Sequence, residues 1–148
     1  MALIDLIAPE VIRVPLQGTT KSEVIEELAQ LLAAAGKVND AGPIVDALRR
    51  REDLGSTGLE NGIAVPHCKT DSVETLTLAI GISPKGVDFE AMDGAPSTLF
   101  FCMLAPPDQS GPHIEALSEI ARLTQSQSFC RVLKASNTPE EVVELFRD

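Results

Sequence analysis

Tryptophan and tyrosine are absent from this 148-residue chain, and phenylalanine occurs only five times. Leu, Ile, Val and Ala must therefore fill the interior, and the aromatic platform on which proteins stack single-stranded nucleic acid is missing. Basic residues are few as well: 12 Lys and Arg stand against 22 Asp and Glu, a formal net charge of −10. Such a chain lacks the electrostatic footprint of a nucleic-acid binder and is repelled by anionic lipid. Protein partners with a basic surface suit it better, because opposite potentials speed encounter. No apolar run reaches the roughly 18 to 20 residues that span a bilayer. The start, Met1 to Pro9, has no basic region and is broken by Asp5 and Pro9, so neither a targeting segment nor membrane insertion is expected. Three cysteines, Cys68, Cys102 and Cys130, show no CxxC spacing. A disulfide framework or a closed zinc site is not expected, and reduced thiols in a cytoplasmic protein are.

What is present suffices for one core. Hydrophobic residues make up 44% of the chain, and without a repeat, linker or low-complexity segment the expectation is a single domain over 1–148. Val11 to Leu16 reads as a short edge strand ending at Gln17-Gly18. Thr20-Lys21-Ser22-Glu23 is a capping box. Val24, Leu28, Leu31 and Ala35 then recur at helical spacing until Gly36 stops the helix. A second helix starts near Asn39 or Asp40, buries Ile44, Val45 and Leu48, and ends in Arg49-Arg50-Arg51, where cations suit the negative end of the helix dipole. Gly55 to Gly62 is turn-rich and leads into a short buried strand, Ile63-Ala64-Val65. Leu76 to Ile82 and Thr98 to Leu104 are further strands, the second apolar throughout as in a central strand. Lys85-Gly86 and Asp93-Gly94 mark loops or hairpin turns between them. The last third is helical: one helix from about Pro112 to Leu123, a shorter one holding Phe129, Val132 and Leu133, and a last one announced by Thr138-Pro139-Glu140-Glu141. The fold class is α/β or α+β, a mixed central sheet with helices against it.

The chain has only two histidines, His67 and His113. His67 follows the strand Ile63 to Val65, and His113 opens the helix after the loop that leaves the apolar central strand. Sites in open α/β sheets gather beyond the carboxyl ends of strands. If the two strands are neighbours, one pocket receives both rings.

A longer pattern surrounds the first of them: Arg51-Glu52-Asp53-Leu54-Gly55-Ser56-Thr57-Gly58-Leu59-Glu60-Asn61-Gly62-Ile63-Ala64-Val65-Pro66-His67. It resembles the signature of the IIA proteins of the phosphoenolpyruvate-dependent phosphotransferase system (PTS), in the fructose/mannitol class that includes the nitrogen-regulatory type. Val87 to Gly94, then Leu104-Ala105-Pro106, then a second His opening a helix follow in the family's order, so the resemblance covers nearly the whole chain. It implies a mixed sheet with helices on both faces. It also implies a phosphohistidine carrier in which His67 accepts a phosphoryl group from a small phosphocarrier protein and passes it to a cysteine of a IIB partner. His113 and Arg51 occupy supporting positions. Two residues depart from the pattern: Cys68 stands where Gly is common, and Pro112 precedes the second His.

The chemistry asks for more than a histidine. The accepting ring needs one bare nitrogen in a fixed tautomer, and the transferring oxygens need positive charge or N–H groups around them. Arg51, the hydroxyls of Ser56 and Thr57 as phosphate-binding groups, and the helix start at His113 are the candidates, the last because helix N-termini favour phosphate. No cofactor and no metal is expected. A solitary IIA domain is similar to the regulatory type, which acts on a transporter or sensor kinase through its phosphorylation state. The alternative is a IIA subunit serving a fructose or mannitol permease. Two readings of other classes compete: a regulatory binding module without phosphate chemistry, and a thiol hydrolase using Cys68. For each residue a structural role also stands, namely a lone structural His, dipole complementation for Arg51 and turn chemistry for Ser56 and Thr57.

Overall fold

The computed structural model describes residues 2–147. Two 3-10 turns, Leu3–Leu6 and Pro9–Val11, precede strand β1 (Ile12–Arg13). Helix α1 (Lys21–Ala34) starts as the capping box requires: Glu23 N–H donates to the Thr20 hydroxyl at 3.2 Å, and Thr20 N–H donates back to the Glu23 carboxylate at 3.2 Å. Gly36 ends it with φ of 77°, a conformation that favours glycine. Helix α2 (Ala41–Asp53) is capped by Asp40, whose carboxylate accepts from Gly42 N–H. It runs two residues past the arginine cluster. Strands β2 (Ile63–Ala64), β3 (His67–Lys69), β4 (Thr77–Val87) and β5 (Ser97–Ala105) follow, then helices α3 (Ser110–Thr124), α4 (Gln127–Lys134) and α5 (Pro139–Arg147).

The sheet is mixed. Its order is β1-β4-β5-β2, with β3 also on β5. β4 and β5 are antiparallel, whereas β1 runs parallel to β4, and β2 and β3 both run parallel to β5. β2 and β3 thus form one interrupted edge of β5. At the interruption Pro66 has no N–H to give, but its carbonyl still accepts from Met103 N–H at 2.9 Å. The pleat divides the apolar run of β5 between two cores. Phe100, Cys102 and Leu104 pack with Val24, Leu28, Leu32, Ile44 and Leu48 of α1 and α2. Leu99, Phe101, Met103 and Ala105 pack with Ala116, Ile120, Leu133, Val142 and Val143 of α3 to α5. Helices therefore cover both faces, which is why this strand carries no polar alternation.

Several expected boundaries shift for local reasons. The strand expected over Val11 to Leu16 shrinks to two residues, because Val11 belongs to a 3-10 turn. Leu16 N–H nevertheless reaches Ile82 O at 2.8 Å. Its side chain fills the space over Gly81, where a Cβ would lie 2.8 Å from a Leu16 methyl. Lys85-Gly86 does not turn the chain: β4 continues to Val87 through a register irregularity after Ile82. Pro84 offers no ladder N–H there and Gly86 takes a φ of 81°, so the strand bulges where a loop or hairpin turn was expected. Leu32, not Leu31, is the fully buried leucine of the last turns of α1. α3 begins at Ser110, which leaves Pro112 in the third position, where a helix has no intrahelical use for an N–H. β3 and the two N-terminal 3-10 turns had no sequence expectation.

Candidate functional site

β3 and α3 deliver the two histidines to one place. β3 pairs with β5 through His67 opposite Met103, and α3 follows the loop at the end of β5. The imidazole centroids of His67 and His113 lie 5.2 Å apart at an interplanar angle of 53°. His67 is not beyond a strand, as the sequence suggested, but the first residue of a new one, placed there by the break at Pro66. The rings share a pocket of about 380 Å³ lined by Ala47, Arg50, Arg51, Leu54, Cys68 and Lys69 besides the histidines. Three of these residues are cations and none is an acid, in a chain whose net charge is −10. The molecule thus gathers a local excess of positive charge at one spot of an acidic surface, which focuses attraction for an anion.

His67 is half-buried, and its Nδ1 lies 2.7 Å from the Val65 carbonyl oxygen. A carbonyl only accepts, so Nδ1 carries the hydrogen, and in the neutral ring Nε2 keeps its lone pair. His113 differs. It is 8% exposed, and its Nδ1 is buried without a hydrogen-bond partner. Burial lowers its pKa from the ordinary histidine value, and the neighbouring His67 and Lys69 lower it further. Both effects favour the neutral ring.

The three arginines of α2 part company by helical phase. Arg49 turns to α1, donating to Ser22 and Glu26. Arg50 and Arg51 line the pocket. Arg51 is steadied by donating Nη1–H to Gly55 O at 2.9 Å. The structure does not bring Ser56 and Thr57 into the lining. The Ser56 hydroxyl donates to Phe89 O at 2.6 Å and accepts from Gly58 N–H, and the Thr57 hydroxyl donates to Glu52. Both hydroxyls are engaged in holding the loop after α2.

Sequence reasoning passed over Arg50, Lys69 and Leu54. Lys69 reaches the pocket because it stands two residues from His67 on a strand and so shares its face. Its ammonium donates to Ser110 Oγ at 3.3 Å, tying β3 to the first residue of α3. Alternation from His67 was the available signal, hidden in a three-residue strand. Cys68 borders the pocket, but its buried side chain packs in the core under α1 and α2, where burial pushes its thiol up to about 11 against the pull of Arg50. A thiol so rarely ionised is a poor nucleophile.

Comparison with known proteins gives the arrangement its context. The family model described as "Phosphoenolpyruvate-dependent sugar phosphotransferase system, EIIA 2" matches residues 5–148. The fructose-specific EIIABC component of Bacillus subtilis is 33% identical over 145 residues, 98% of this chain, although the chain spans only 23% of that relative's length. The crystal structure of the nitrogen regulatory protein IIA-Ntr from Neisseria meningitidis superposes with a TM-score of 0.89 at 30% identity, covering 97% of each chain. The mannitol IIA of Escherichia coli, solved in complex with phosphorylated mannitol IIB, superposes with a TM-score of 0.80 at 26% identity, covering 95% of this chain and 96% of its own. The fold is therefore that of the fructose/mannitol and nitrogen-regulatory IIA proteins. This chain belongs to the EIIA type 2 family of the phosphoenolpyruvate-dependent sugar phosphotransferase system.

Proposed function

We propose that the chain is a phosphohistidine carrier that accepts a phosphoryl group on Nε2 of His67. One observation supports this most: Nδ1–H is fixed on Val65 O, in a ring whose pocket holds Arg50, Arg51 and Lys69 and no carboxylate. The Nε2 lone pair forms a bond to phosphorus while the bond from phosphorus to the donor breaks, its electron pair leaving with the donor. In the return step a thiolate of a IIB partner takes the phosphorus, and the P–N electrons go back to Nε2. The IIB complex of the mannitol relative is the support for that acceptor.

Arg51 stabilises the transferring oxygens, with Arg50 and Lys69 adding positive potential. His113, kept neutral by burial, walls the other side and limits water. Ser56 and Thr57 serve the pocket through the loop they hold. The donor in this reading is a small phosphocarrier protein whose docking face is basic, complementary to the acidic surface. A regulatory role through the phosphorylation state is favoured by the likeness to the nitrogen-regulatory structure over nearly its whole length. The fructose-specific relative supports the permease-subunit alternative. The three free thiols fit a cytoplasmic setting.

Incubation with phosphoenolpyruvate, enzyme I and a carrier protein should place an acid-labile phosphate on His67, located by mass spectrometry and lost in His67→Ala. Unmodified protein under conditions that phosphorylate a known IIA would contradict the carrier reading. Adding IIB and sugar then separates the roles, since sugar phosphorylation opposes a purely regulatory one.

A further inference from the structure

Among the buried polar residues described, Glu52 is the one carboxylate, 9% exposed at the end of α2. A buried carboxylate is tolerated only when paired and fully hydrogen-bonded. Glu52 meets both conditions. Its Oε1 accepts from Lys21 Nζ of α1 at 2.9 Å and from Thr57 N–H at 3.0 Å, and its Oε2 accepts from the Thr57 hydroxyl. The Lys21 ammonium is itself held, 3.2 Å from Glu90 and 4.8 Å from the centre of the Phe89 ring. None of these groups lines the histidine pocket.

The contacts continue beyond Thr57. Its carbonyl accepts from Val65 N–H at 3.0 Å, and the Val65 carbonyl accepts from His67 Nδ1–H. Val65 sits in the gap between β2 and β3, where the ladder to β5 is interrupted by Pro66. Its N–H points away from β5, as alternate residues of an edge strand do, and is taken up by the Thr57 carbonyl. An unbroken series of bonds runs from α1 and α2 through Glu52, Thr57 and Val65 to the accepting ring.

We propose that Glu52 and Thr57 are positioning residues for the histidine: by fixing the Val65 N–H they hold in place the residue whose carbonyl meets Nδ1, and so keep the lone pair on Nε2. The proposal rests on His67 as the phosphoryl acceptor and adds what selects its tautomer. Without the anchor the Val65 carbonyl is held less firmly at Nδ1, and the two nitrogens compete for the proton. In metal sites, groups that orient a ligating histidine from the outer shell are worth roughly ten- to a hundredfold in affinity or activity, and an effect at the lower end of that range is expected for this ring.

The test is nitrogen-15 NMR of the His67 ring in the full chain, with phosphorylation rates measured in parallel. In the parent protein Nδ1 should show a protonated shift and Nε2 an unprotonated one. Thr57→Val removes the hydroxyl that locks Thr57 to Glu52. It should draw the two shifts together and slow phosphoryl acceptance about tenfold, whereas Thr57→Ser should restore both. Should Thr57→Val fail to fold, the isosteric Glu52→Gln is read in the same way. Ring shifts unchanged in a folded variant would overturn the proposal and leave the network a staple of the loop. If the ring responds to Thr57 but no phosphoryl group is ever found, positioning stands and the carrier reading falls. If the parent is phosphorylated and the ring ignores Thr57, positioning alone falls.

Discussion

On one side of the His67 ring, the end of α2 and the loop after it are tied by directional bonds: Arg51 to Gly55, Glu52 to Thr57, Thr57 to Val65, and Val65 to the ring itself. On the other side, α3 begins without a side-chain cap. Its polar ties near the pocket are two long contacts of 3.3 Å, Lys69 to Ser110 and Gln109 to the Glu74 carbonyl. What holds α3 is packing, with Ala116 and Ile120 buried against the sheet. The same difference appears in the two imidazoles. His67 has a bonded nitrogen and a defined tautomer, whereas His113 is more deeply buried with its Nδ1 unpartnered. In the proposed carrier, orientation is specified at the ring that accepts the phosphoryl group, and the ring opposite it serves to exclude water.

That comparison can be broken from either side. The largest effect expected is on stability, from the packed wall. Ile120→Ala should cost about 2–5 kcal/mol, read in denaturant unfolding, while leaving the His67 ring shifts of the folded protein unchanged. Arg51→Met on the bonded wall should act oppositely. It should lower the rate of phosphoryl acceptance by roughly 10²–10³-fold, as loss of one charge-stabilising donor does, with little change in the unfolding midpoint. Should Arg51→Met destabilise and Ile120→Ala spare stability, the division of labour is wrong. A cap outside both the pocket lining and this network gives the control: Thr138→Ala, which removes the hydroxyl that accepts from Glu141 N–H at the start of α5, should cost about 1 kcal/mol and leave the rate alone.

The smallest effect is a slope. Burial lowers the pKa of His113 in the folded chain below its unfolded value. Between those two values the unfolded chain binds more protons, so stability falls as the pH drops through that window. His113→Gln should flatten the acid limb of a stability-versus-pH curve. An unchanged limb would mean that His113 is solvated in solution.

Much of this was legible in the sequence, for identifiable reasons. Thr20 to Glu23 and Thr138 to Glu141 specify helix starts by local bonding alone, and the structure has α1 and α5 there. The continuous apolar run of β5 announced helices on both faces. Two histidines after two strands sufficed to bring both rings together once β3 proved to neighbour β5. The rest depended on packing. β3 is three residues long, too short for alternation to stand out, so Lys69 stayed hidden. The separation of Arg50 and Arg51 from Arg49 follows from which face of α2 meets the sheet. The hydroxyls of Ser56 and Thr57 were open to phosphate or to turn chemistry. Their engagement with Phe89 O and Glu52 arises from the folded loop, where a carboxylate five residues from Thr57 is turned back onto it.

The most direct measurement of the central claim is phosphorus and nitrogen-15 NMR of the phosphorylated protein, which identifies the nitrogen that carries phosphorus. The bond from Nδ1 to Val65 O predicts phosphorus on Nε2 of His67, with Nδ1 still protonated. Phosphorus on Nδ1, on His113 or on Cys68 would contradict it.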